Sequence, residues 1–378
     1  MYILVLCHEF PPVGGGAAAV CAALSAEYVR AGHKVTLLTM GYGDLPASET
    51  YAGIEVVRVS CGRKRKEMAS AWEGLAWAKA IWPEVERRQA EHPFDITHAH
   101  FIMPAGITAL KLKRKHGVPY IITPHGSDVP GFNRERLQLA HVLARPWWKR
   151  IAAAAAQIVS PSQSLLALIA RAAQLPNCTV IPNGFEPGRF IASEKAKRIL
   201  LCSRLVERKG FQYFLEAIGN LELPGWEVDI VGDGPMLPRL QELAAKCRVP
   251  VHLLGWLNND DPRLAELYSR AMIFILPSEW ENFSIALLEG MSAGCAVITT
   301  NISGNPEAVA DTGFLVPPKD IPALRQAVLD LTADETRCRE LGHRAAERAA
   351  NEFRWQIVGR RYMQLLEQFA PLGVGQHE

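Results

Sequence analysis

The sequence predicts an α/β chain built from two successive doubly wound parallel sheets. Short apolar runs alternate with longer segments of helical periodicity, an alternation typical of parallel sheets with helices on both faces. The alternation begins afresh after Gly184, and 378 residues with 49% apolar side chains suffice for two separate cores. We therefore predict an N-terminal domain of residues 1–184 and a second domain of residues 185–354. The last helix, in the segment 355–378, is long enough to cross back and complete the first domain.

Apolar runs of three to six residues mark the predicted strands. In the first domain they are Ile3–Leu6, Val35–Leu38, Ile54–Val59, Asp95–His98, Tyr120–Thr123, Gln157–Ser160 and Thr179–Ile181. In the second domain they are Arg198–Cys202, Glu227–Val231, Val251–Leu254, Ala271–Leu276 and Ala296–Thr299. Because parallel strands end at a common sheet edge, we expect ligand-binding side chains in the loops directly after these runs.

Composition limits the partners and the compartment. Lysine plus arginine number 41 and aspartate plus glutamate 39, so no global charge favours a nucleic acid partner. Eight cysteines form no Cys-x-x-Cys pair and no zinc-like spacing with histidine, as expected of small buried side chains in a reducing compartment. The N-terminus lacks the pattern of a signal peptide, and no apolar run approaches the roughly 20 residues of a membrane span. We expect a cytoplasmic protein, with attachment to the inner face of the cytoplasmic membrane left open.

The most informative stretch follows the apolar run Ala271–Leu276. Pro277 should end that strand, Ser284 can cap the next helix, and Gly294 fits a left-handed C-terminal cap. Glu281 in the loop and Glu289 in the helix have seven residues between them, so they could hold two parts of one ligand. Free N–H groups at positions 282 to 284 suit an anion or sugar hydroxyls. Two solvated glutamates on a surface helix are the alternative.

A glycine-rich loop lies between the first strand and a helix predicted over Ala17–Arg30. Gly14 and Gly16 fit the first two positions of the Gly-x-Gly-x-x-Gly dinucleotide motif, but the third is Ala19 and the expected acidic residue is missing. The loop can still let backbone approach a phosphate or sugar at a helix N-terminus. A plain flexible turn fits these residues equally well.

Arg204 and Lys209 follow the first strand of the second domain and could together neutralise a diphosphate leaving group. The sequence has no Asp-x-Asp pair of the kind that metal-dependent sugar transfer uses, so we predict no metal site and no cofactor. The alternative is that both side chains are simply solvated. After the next strands, the turn at Gly232 and the segment Leu254–Leu257 could receive a base through backbone contacts.

Histidines follow two strands of the first domain. We expect His98 and His100 to project in opposite directions from an extended strand, which argues against metal chelation by this pair. A single histidine in such a place is more often a structural hydrogen-bonding group than a catalyst. For His125, the neighbouring Gly126 and Asp128 favour a functional site.

Taken together, these motifs resemble the retaining glycosyltransferases of family four, which have the GT-B architecture of two Rossmann-like domains facing across a cleft. The resemblance covers nearly the whole chain, and the order and spacing of the motifs are specific to the family. The motifs are Pro-Pro-x-Gly-Gly at 11–15, His-Gly-Ser-Asp at 125–128, Ile-Pro-Asn-Gly at 181–184, Arg204 with Lys209, Gly-Asp-Gly-Pro at 232–235, Glu281-x7-Glu289, and Gly-Phe-Leu-Val-Pro at 313–317 followed by Asp320.

The resemblance implies transfer of a sugar from a UDP- or GDP-sugar to a hydroxyl of a glycan or lipid-linked acceptor. Such enzymes act in the synthesis of surface polysaccharide, lipopolysaccharide or glycolipid. Retention in the family is commonly viewed as same-face attack, in which the departing phosphate oxygen helps to deprotonate the acceptor. Glu281 would then orient and stabilise charge, and would not act as a covalent nucleophile.

The resemblance also implies a role for each site residue. The residues implied for the donor diphosphate are Arg204, Lys209, Gly15 and Gly16, and those for the donor sugar are Glu281, Asn282, Phe283, Ser284 and Asp128. Glu289 would bind the ribose, and Gly232, Leu254, Gly255 and Leu257 would bind the base. His125 would lie beside the sugar and the acceptor. Asn282 and Ser284 replace glycines that are usual in the family, so new side chains are expected in the sugar pocket. Ala296 and Asn305 also depart from the usual residues, with an expected local effect on the backbone.

Two basic and aromatic segments suit a membrane interface or a lipid-linked acceptor. Arg63, Lys64, Arg65 and Lys66 precede Trp72, and a second cluster spans residues 145–150. Met68, Trp72, Leu75 and Trp82 could share one helix face. A solvated loop followed by a core-facing helix is the alternative.

Two other functions compete with sugar transfer. A sugar phosphorylase or nucleotide-sugar epimerase would keep the fold but need no acceptor alcohol. A catalytically silent partner protein at a membrane surface would have lost its donor residues, whereas Arg204, Lys209, Glu281 and Glu289 are all present.

Overall fold

The computed structural model describes residues 1–132, 138–190 and 193–370, with residues 138–141 described by their backbone only. The chain forms two compact units. One comprises Met1–Pro182 and the C-terminal segment that begins at Trp355, and the other comprises Asn183–Arg354. The first boundary thus falls at Pro182 rather than at residue 184, and the return to the first unit begins at residue 355.

Each unit contains one mainly parallel sheet. The strands of the first unit are Tyr2–Leu6 (β1), Lys34–Met40 (β2), Ser48–Tyr51 (β3), Ile54–Val59 (β4), Ile96–His100 (β5), Tyr120–Thr123 (β6), Gln157–Ser160 (β7) and Cys178–Val180 (β8). In the described part of this unit their order in the sheet is β3-β4-β2-β1-β5-β6-β7-β8, with only β3 antiparallel to its neighbour.

The strands of the second unit are Ala196–Cys202 (β9), Glu227–Val231 (β10), Val251–Leu253 (β11), Ala271–Leu276 (β12), Ala296–Thr300 (β13) and Gly313–Val316 (β14). In the described part of this unit their order is β11-β10-β9-β12-β13-β14, with every pairing parallel.

Helices connect the strands as expected of doubly wound folds. In chain order they are Gly16–Arg30 (α1), Ala71–Ala80 (α2), Trp82–Glu91 (α3), Ala105–His116 (α4), Gln138–Ala154 (α5), Gln163–Ala172 (α6), Phe211–Ile218 (α7), Leu237–Ala244 (α8), Pro262–Arg270 (α9), Ile285–Ser292 (α10), Asn305–Val309 (α11), Ile321–Thr332 (α12), Glu335–Glu352 (α13) and Trp355–Phe369 (α14). Of the described helices, none combines the length and apolar character needed to span a bilayer.

Strand β12 shows how burial on both faces stabilises the sheet of the second unit. All six of its residues are buried, and from Ile273 to Leu276 successive residues enter different cores because side chains alternate between the two faces of a strand. Ile273 and Ile275 pack in one hydrophobic cluster, while Phe274 and Leu276 pack in the other. The apolar run was therefore a correct indication of a strand covered on both faces.

The C-terminal helix α14 packs on α1 within the first unit. At Gly359 the two helices approach so closely that a Cβ atom there would lie 2.7 Å from Cβ of Glu27. Tyr362, one turn further on, is buried, and its hydroxyl lies 3.1 Å from Oγ1 of Thr123 at the end of β6. These contacts attach the C-terminal helix to the sheet of the first unit.

Candidate active site

The strand, loop and helix around Glu281 and Glu289 form as the sequence predicts. Strand β12 ends at Leu276, and the Ser284 hydroxyl accepts a hydrogen bond from the Leu287 N–H at the start of α10. Gly294 follows α10 with φ of +77°, the left-handed conformation expected at a helix C-terminus. The two glutamates are thereby placed at the carboxyl edge of the sheet.

Lys209 and Glu281 are in direct contact at this edge. The Lys209 Nζ atom lies 2.5 Å from Oε1 of Glu281, and the Ser278 hydroxyl donates to the same oxygen over 2.9 Å. Lys209 ends a 3₁₀ turn after β9, and Glu281 follows β12, the neighbouring strand. A charge-assisted pair of this kind is stronger than a neutral hydrogen bond. The cation predicted for the diphosphate and the carboxylate predicted for the sugar therefore meet in one place.

Glycines allow these loops to approach one another. Gly210 has φ of +74°, and a Cβ atom there would lie 2.0 Å from the carbonyl oxygen of Pro277. Gly232 has φ of +142°, and a Cβ atom there would lie 1.8 Å from the carbonyl oxygen of Ser203. Any larger residue would separate the loop carrying Lys209 from its neighbours.

Glu289 is a largely buried carboxylate, with 15% of its side chain exposed, and it has two partners. The Arg189 Nη1 atom lies 3.1 Å from Oε1 of Glu289, and the Tyr268 hydroxyl donates to Oε2 over 3.3 Å. Burial raises the pKa of Glu289 to about 7, against the opposing effects of Arg189 and Tyr268. The alternative of two solvated glutamates is wrong for this pair. Neither Arg189 nor Tyr268 was singled out from the sequence.

Arg204 supplies a second cation beside the same strand end. Its side chain is exposed, and it makes no hydrogen bond or ion pair with any residue that the structure describes. The loop that carries it is fixed by backbone bonds, among them Leu205 N–H to the Asp233 carbonyl over 2.8 Å. A cation on an ordered loop is well placed to bind an anion.

The loop after Glu281 is largely occupied by its own contacts. The Phe283 side chain is buried, and its carbonyl accepts from the Asn183 side-chain amide over 2.8 Å. The Asn282 carbonyl accepts from the Gly304 N–H. Ser284 is also buried, and its hydroxyl caps α10, so it adds little side chain to a sugar pocket. Of the two replaced glycines, Asn282 alone brings a partly exposed side chain to the loop.

The segment predicted to receive the base follows β11. The Gly255 carbonyl accepts from the Gly232 N–H over 2.8 Å, and the Leu254 side chain is exposed. Leu257 is buried in the core, which leaves only its backbone for a ligand. The neighbouring Trp256 is 58% exposed.

In the first unit, histidine side chains form a connected group. The rings of His98 and His100 have centroids 4.2 Å apart, so the prediction that they project in opposite directions is wrong. Residues two apart share one face of a strand, because side chains alternate with a period of two. His98 Nδ1 lies 3.0 Å from the Tyr28 hydroxyl, and its Nε2 lies 2.9 Å from Oγ1 of Thr123.

His100 and His125 contact one another through their ring nitrogens, with 3.0 Å between Nδ1 and Nε2. Burial lowers the pKa of His98 and of His125 to about 3 and that of His100 well below its usual value, so all three are neutral at pH 7.

Asp128 orders the loop that carries His125. Its carboxylate accepts hydrogen bonds from the Ile102 N–H over 2.6 Å and the His125 N–H over 3.0 Å, and burial raises its pKa to about 6. This geometry gives Asp128 a structural part, and its predicted contact with a donor sugar stays a prediction.

The glycine loop of the first unit leads directly into α1. Gly15 stands at the N-cap position, and α1 begins at Gly16 rather than at Ala17. A Cβ atom at Gly15 or Gly16 would have no neighbour within 4 Å among the described residues, so both positions face open space. An exposed helix N-terminus of this kind favours anions.

Comparison with known proteins adds the decisive observation. A sequence model described as Glycosyltransferase Family 4 matches residues 14–189, and one described as Glycosyl transferases group 1 matches residues 186–350. The chain belongs to glycosyltransferase family 4. Its fold is the GT-B fold, and the protein is a glycosyltransferase.

Several relatives align with this glycosyltransferase over most of their length. An uncharacterised glycosyltransferase of Methanocaldococcus jannaschii is 28% identical, covering 88% of this chain and 90% of the relative. A GDP-mannose-dependent phosphatidylinositol monomannoside mannosyltransferase of Mycolicibacterium smegmatis is 27% identical, covering 96% and 98%.

Solved structures match the fold. Sucrose-phosphate synthase of Thermosynechococcus elongatus superposes with a TM-score of 0.83 at 21% identity, covering 97% of this chain and 99% of that one. The Anabaena protein HepE, solved with UDP, gives 0.77 at 17% identity, covering 97% and 100%.

The basic and aromatic surface of the glycosyltransferase differs from the predicted one. Arg63 is buried, and its guanidinium donates to the carbonyl oxygens of His8, Arg65 and Lys66, so its prediction as a lipid-facing residue is wrong. Lys64, Arg65 and Lys66 are exposed, and Trp72 is 81% exposed. Trp82 begins a separate helix and packs partly against the core, so it shares no helix with Trp72.

Proposed function

We propose that this glycosyltransferase moves a sugar from a UDP- or GDP-sugar to a hydroxyl of a glycan or lipid-linked acceptor, with retention and without a metal ion or other cofactor. The proposal rests on the contact of Lys209 with Glu281, in the same unit as the largely buried Glu289. A cation for phosphate and two carboxylates for hydroxyls are the groups that a nucleotide-sugar requires.

The donor diphosphate binds at Arg204 and Lys209 in this proposal. Lys209 has three N–H donors, so its ammonium can hold Glu281 and a phosphate oxygen together. The two cations balance the charge that develops on the leaving diphosphate, which is the task a divalent metal performs in other transferases. The N-terminus of α1 at Gly15 and Gly16 is a further favourable position for an anion.

The nucleoside binds beside α10. Glu289 accepts the ribose hydroxyls, and the backbone of the segment 254–257 with Gly232 receives the base. The Anabaena protein HepE was crystallised in complex with UDP, which supports a uridine or related nucleotide here. The mannosyltransferase of Mycolicibacterium smegmatis is named for GDP-mannose, which supports guanosine as the second choice.

The proposed reaction keeps the anomeric configuration. The acceptor oxygen forms a bond to C1 of the sugar on the face from which the diphosphate oxygen departs, and that departing oxygen takes the acceptor proton. Positive charge develops at C1, and the Glu281 carboxylate stabilises it electrostatically. Glu281 already accepts bonds from Lys209 and Ser278, which favours a fixed orienting group over a nucleophile. On the first unit, His125 is the residue proposed to contact the acceptor, and Asp128 orders its loop.

The proposed acceptor is a growing polysaccharide, a lipopolysaccharide or a glycolipid at the inner face of the cytoplasmic membrane. One relative is named for lipopolysaccharide core biosynthesis in Rhizobium meliloti, and another for a phosphatidylinositol mannoside. The exposed Lys64, Arg65 and Lys66 with Trp72 fit a peripheral contact to anionic lipid.

The proposal is tested by a transfer assay in EDTA with UDP- and GDP-sugars and glycan or lipid acceptors. We expect release of nucleoside diphosphate and a product whose anomeric proton coupling matches that of the donor. Lys209→Ala and Glu281→Gln should each lower transfer by about 100-fold or more, whereas Arg325→Gln, on helix α12 of the same unit, should not. An inverted product, or activity that needs Mg²⁺, would contradict retention or metal independence. Turnover of donor alone, or with phosphate in place of an acceptor, would identify an epimerase or a phosphorylase instead.

A further inference from the structure

Arg189 joins two parts of the proposed donor site. Its Nη1 atom lies 3.1 Å from Oε1 of Glu289 on α10, and its Nη2 atom donates to the carbonyl of Asn259, just after the segment proposed to receive the base. The guanidinium carbon lies 4.6 Å from the centre of the Phe190 ring. Three contacts fix the side chain, and a quarter of it stays exposed to solvent.

The partners of Glu289 leave room for a ligand with two hydroxyls. Arg189 occupies one lone-pair site on Oε1, and the Tyr268 hydroxyl occupies one on Oε2. An ionised carboxylate offers about four such sites in all. Counting the residues that the structure describes, one acceptor site remains on each oxygen, which matches the pair of neighbouring hydroxyls on a ribose.

Glu289 also depends on Arg189 for its charge. The groups that face it are Arg189, Tyr268 on α9 and the Cys202 thiol at the end of β9, and of these only Arg189 is cationic. Burial raises the pKa of Glu289 to about 7, and Arg189 opposes that rise. Loss of Arg189 would therefore favour protonation of the Glu289 carboxyl near neutral pH. The protonated carboxyl is a weaker hydrogen-bond acceptor for the ribose hydroxyls.

We infer that Arg189 is a positioning and specificity residue of the donor site, which holds Glu289 oriented for the two ribose hydroxyls and couples it to the base-binding loop. This inference rests on the proposed function, because it requires a nucleoside diphosphate as the ligand. It assigns a role to a side chain that contacts Glu289 from 100 positions away in the sequence.

The test compares nucleotides that do and do not carry the ribose hydroxyls. UDP, GDP and their 2′,3′-dideoxy counterparts are titrated calorimetrically into the wild-type enzyme and into Arg189→Gln at pH 7.0. We expect Arg189→Gln to bind the ribonucleotide about tenfold more weakly, since a charge-assisted bond orients its acceptor. The dideoxy nucleotide should bind both proteins with nearly equal affinity. Raising the pH to 8.5 should restore part of the loss, because Glu289 ionises again.

Arg189→Lys keeps the charge without the planar guanidinium and should show an intermediate loss of ribonucleotide affinity. This variant replaces Arg189→Gln in the test if the glutamine variant does not fold. Arg263→Gln is the matched control, because Arg263 is exposed and pairs with Asp261 on the same unit. An equal loss for ribo- and dideoxynucleotide would indicate a merely structural role and overturn the inference, as would no loss at all. If the wild type binds none of these nucleotides, the proposed function and the inference about Arg189 both fail.

Discussion

The Nδ1 atom of His100 lies 3.0 Å from the Nε2 atom of His125, and the two rings are stacked. Both imidazoles are neutral at pH 7, so one nitrogen donates and the other accepts. The tautomer of one ring therefore fixes the tautomer of the other, and with it whether the Nδ1 atom of His125 is a donor or an acceptor.

The first prediction follows from this linkage. His100→Phe keeps the ring shape but removes the hydrogen bond, and we expect about a tenfold fall in kcat, because losing one orienting hydrogen bond costs about 1 kcal/mol. His100→Asn places an amide near the former Nδ1 position and should retain most of the activity. Nitrogen NMR of His125 should report a changed tautomer in the phenylalanine variant. Wild-type turnover in His100→Phe would show that His125 needs no such partner.

The second prediction concerns acid stability of the first unit. Burial lowers the pKa of His8, His98 and His125 to about 3, so the folded state favours their neutral forms. Their contribution to stability is complete above pH 6.5 and is lost as the pH falls towards 3. At pH 5 the loss is about 2 kcal/mol for each histidine. Asp128, whose pKa is raised to about 6, opposes this loss of stability, because its carboxyl protonates more readily in the folded state. It is one carboxyl against three histidines.

Thermal unfolding between pH 7.5 and 4.5 measures this effect, and we expect a steep fall in Tm below pH 6. His343→Gln is the control, because His343 is largely exposed and its removal should leave the slope unchanged. A Tm that stays constant from pH 7.5 to 4.5 would mean that the buried histidines protonate without cost.

The third prediction separates binding from turnover at Glu281. Glu281→Gln removes the charge that competes for Lys209, so we expect UDP or GDP to bind with unchanged or slightly higher affinity. Transfer should fall by about 100-fold or more, because the carboxylate that stabilises the developing charge is gone. Calorimetry and initial rates on the same preparation give both quantities. A parallel loss of nucleotide affinity would place Glu281 in the nucleotide site instead.

The fourth prediction concerns the loop geometry at Gly210. Gly210→Ala combines a left-handed backbone with a Cβ atom 2.0 Å from the Pro277 carbonyl oxygen, and we expect a loss of about 2–4 kcal/mol in unfolding free energy. Gly219→Ala at the end of α7 is the control. It has φ of −47° and ordinary contact distances of 3.5 Å or more, so its effect should stay within about 1 kcal/mol. Urea unfolding gives the unfolding free energy of both variants. Equal unfolding free energies for Gly210→Ala and Gly219→Ala would contradict the predicted clash at Gly210.

The fifth prediction concerns the proposed membrane contact. Wild-type protein should co-sediment with vesicles rich in anionic lipid at low salt, and Trp72→Ala should weaken this binding several-fold. Reversing Lys64, Arg65 and Lys66 to glutamate should abolish it, since each basic residue contributes about 1 kcal/mol. Trp256→Ala, which removes an exposed tryptophan of the other unit, should bind as the wild type does. A wild-type protein that stays in the supernatant would remove the membrane contact from the proposal.

The sequence predicts the buried strands well because burial on both faces leaves a continuous apolar run, as in β12. It misses β3, because Ser48–Tyr51 is a mostly exposed antiparallel edge strand without a continuous apolar run. Strand β14 is recognisable only as a family motif, since a four-residue run beginning with glycine carries little strand signal.

The placement of Lys209 and Glu281 at one sheet edge is predictable from the sequence, because each lies in the loop that follows a strand. Arg189 and Tyr268 are not, because they reach Glu289 through the tertiary fold from distant positions in the chain. The prediction for Arg63 is wrong for a related reason. A run of basic residues is usually solvated, but here one guanidinium satisfies the carbonyl groups of a folded loop.

In the proposed donor site a nucleoside diphosphate binds at Lys209 without a metal ion, and calorimetric titration in EDTA measures this binding. UDP, GDP, ADP and dTDP are titrated in turn into the wild-type protein and into Lys209→Ala. We expect at least one of them to bind the wild type and the substitution to weaken this binding by about tenfold or more. Equal binding to both proteins, or binding that appears only when Mg²⁺ is added, would contradict it.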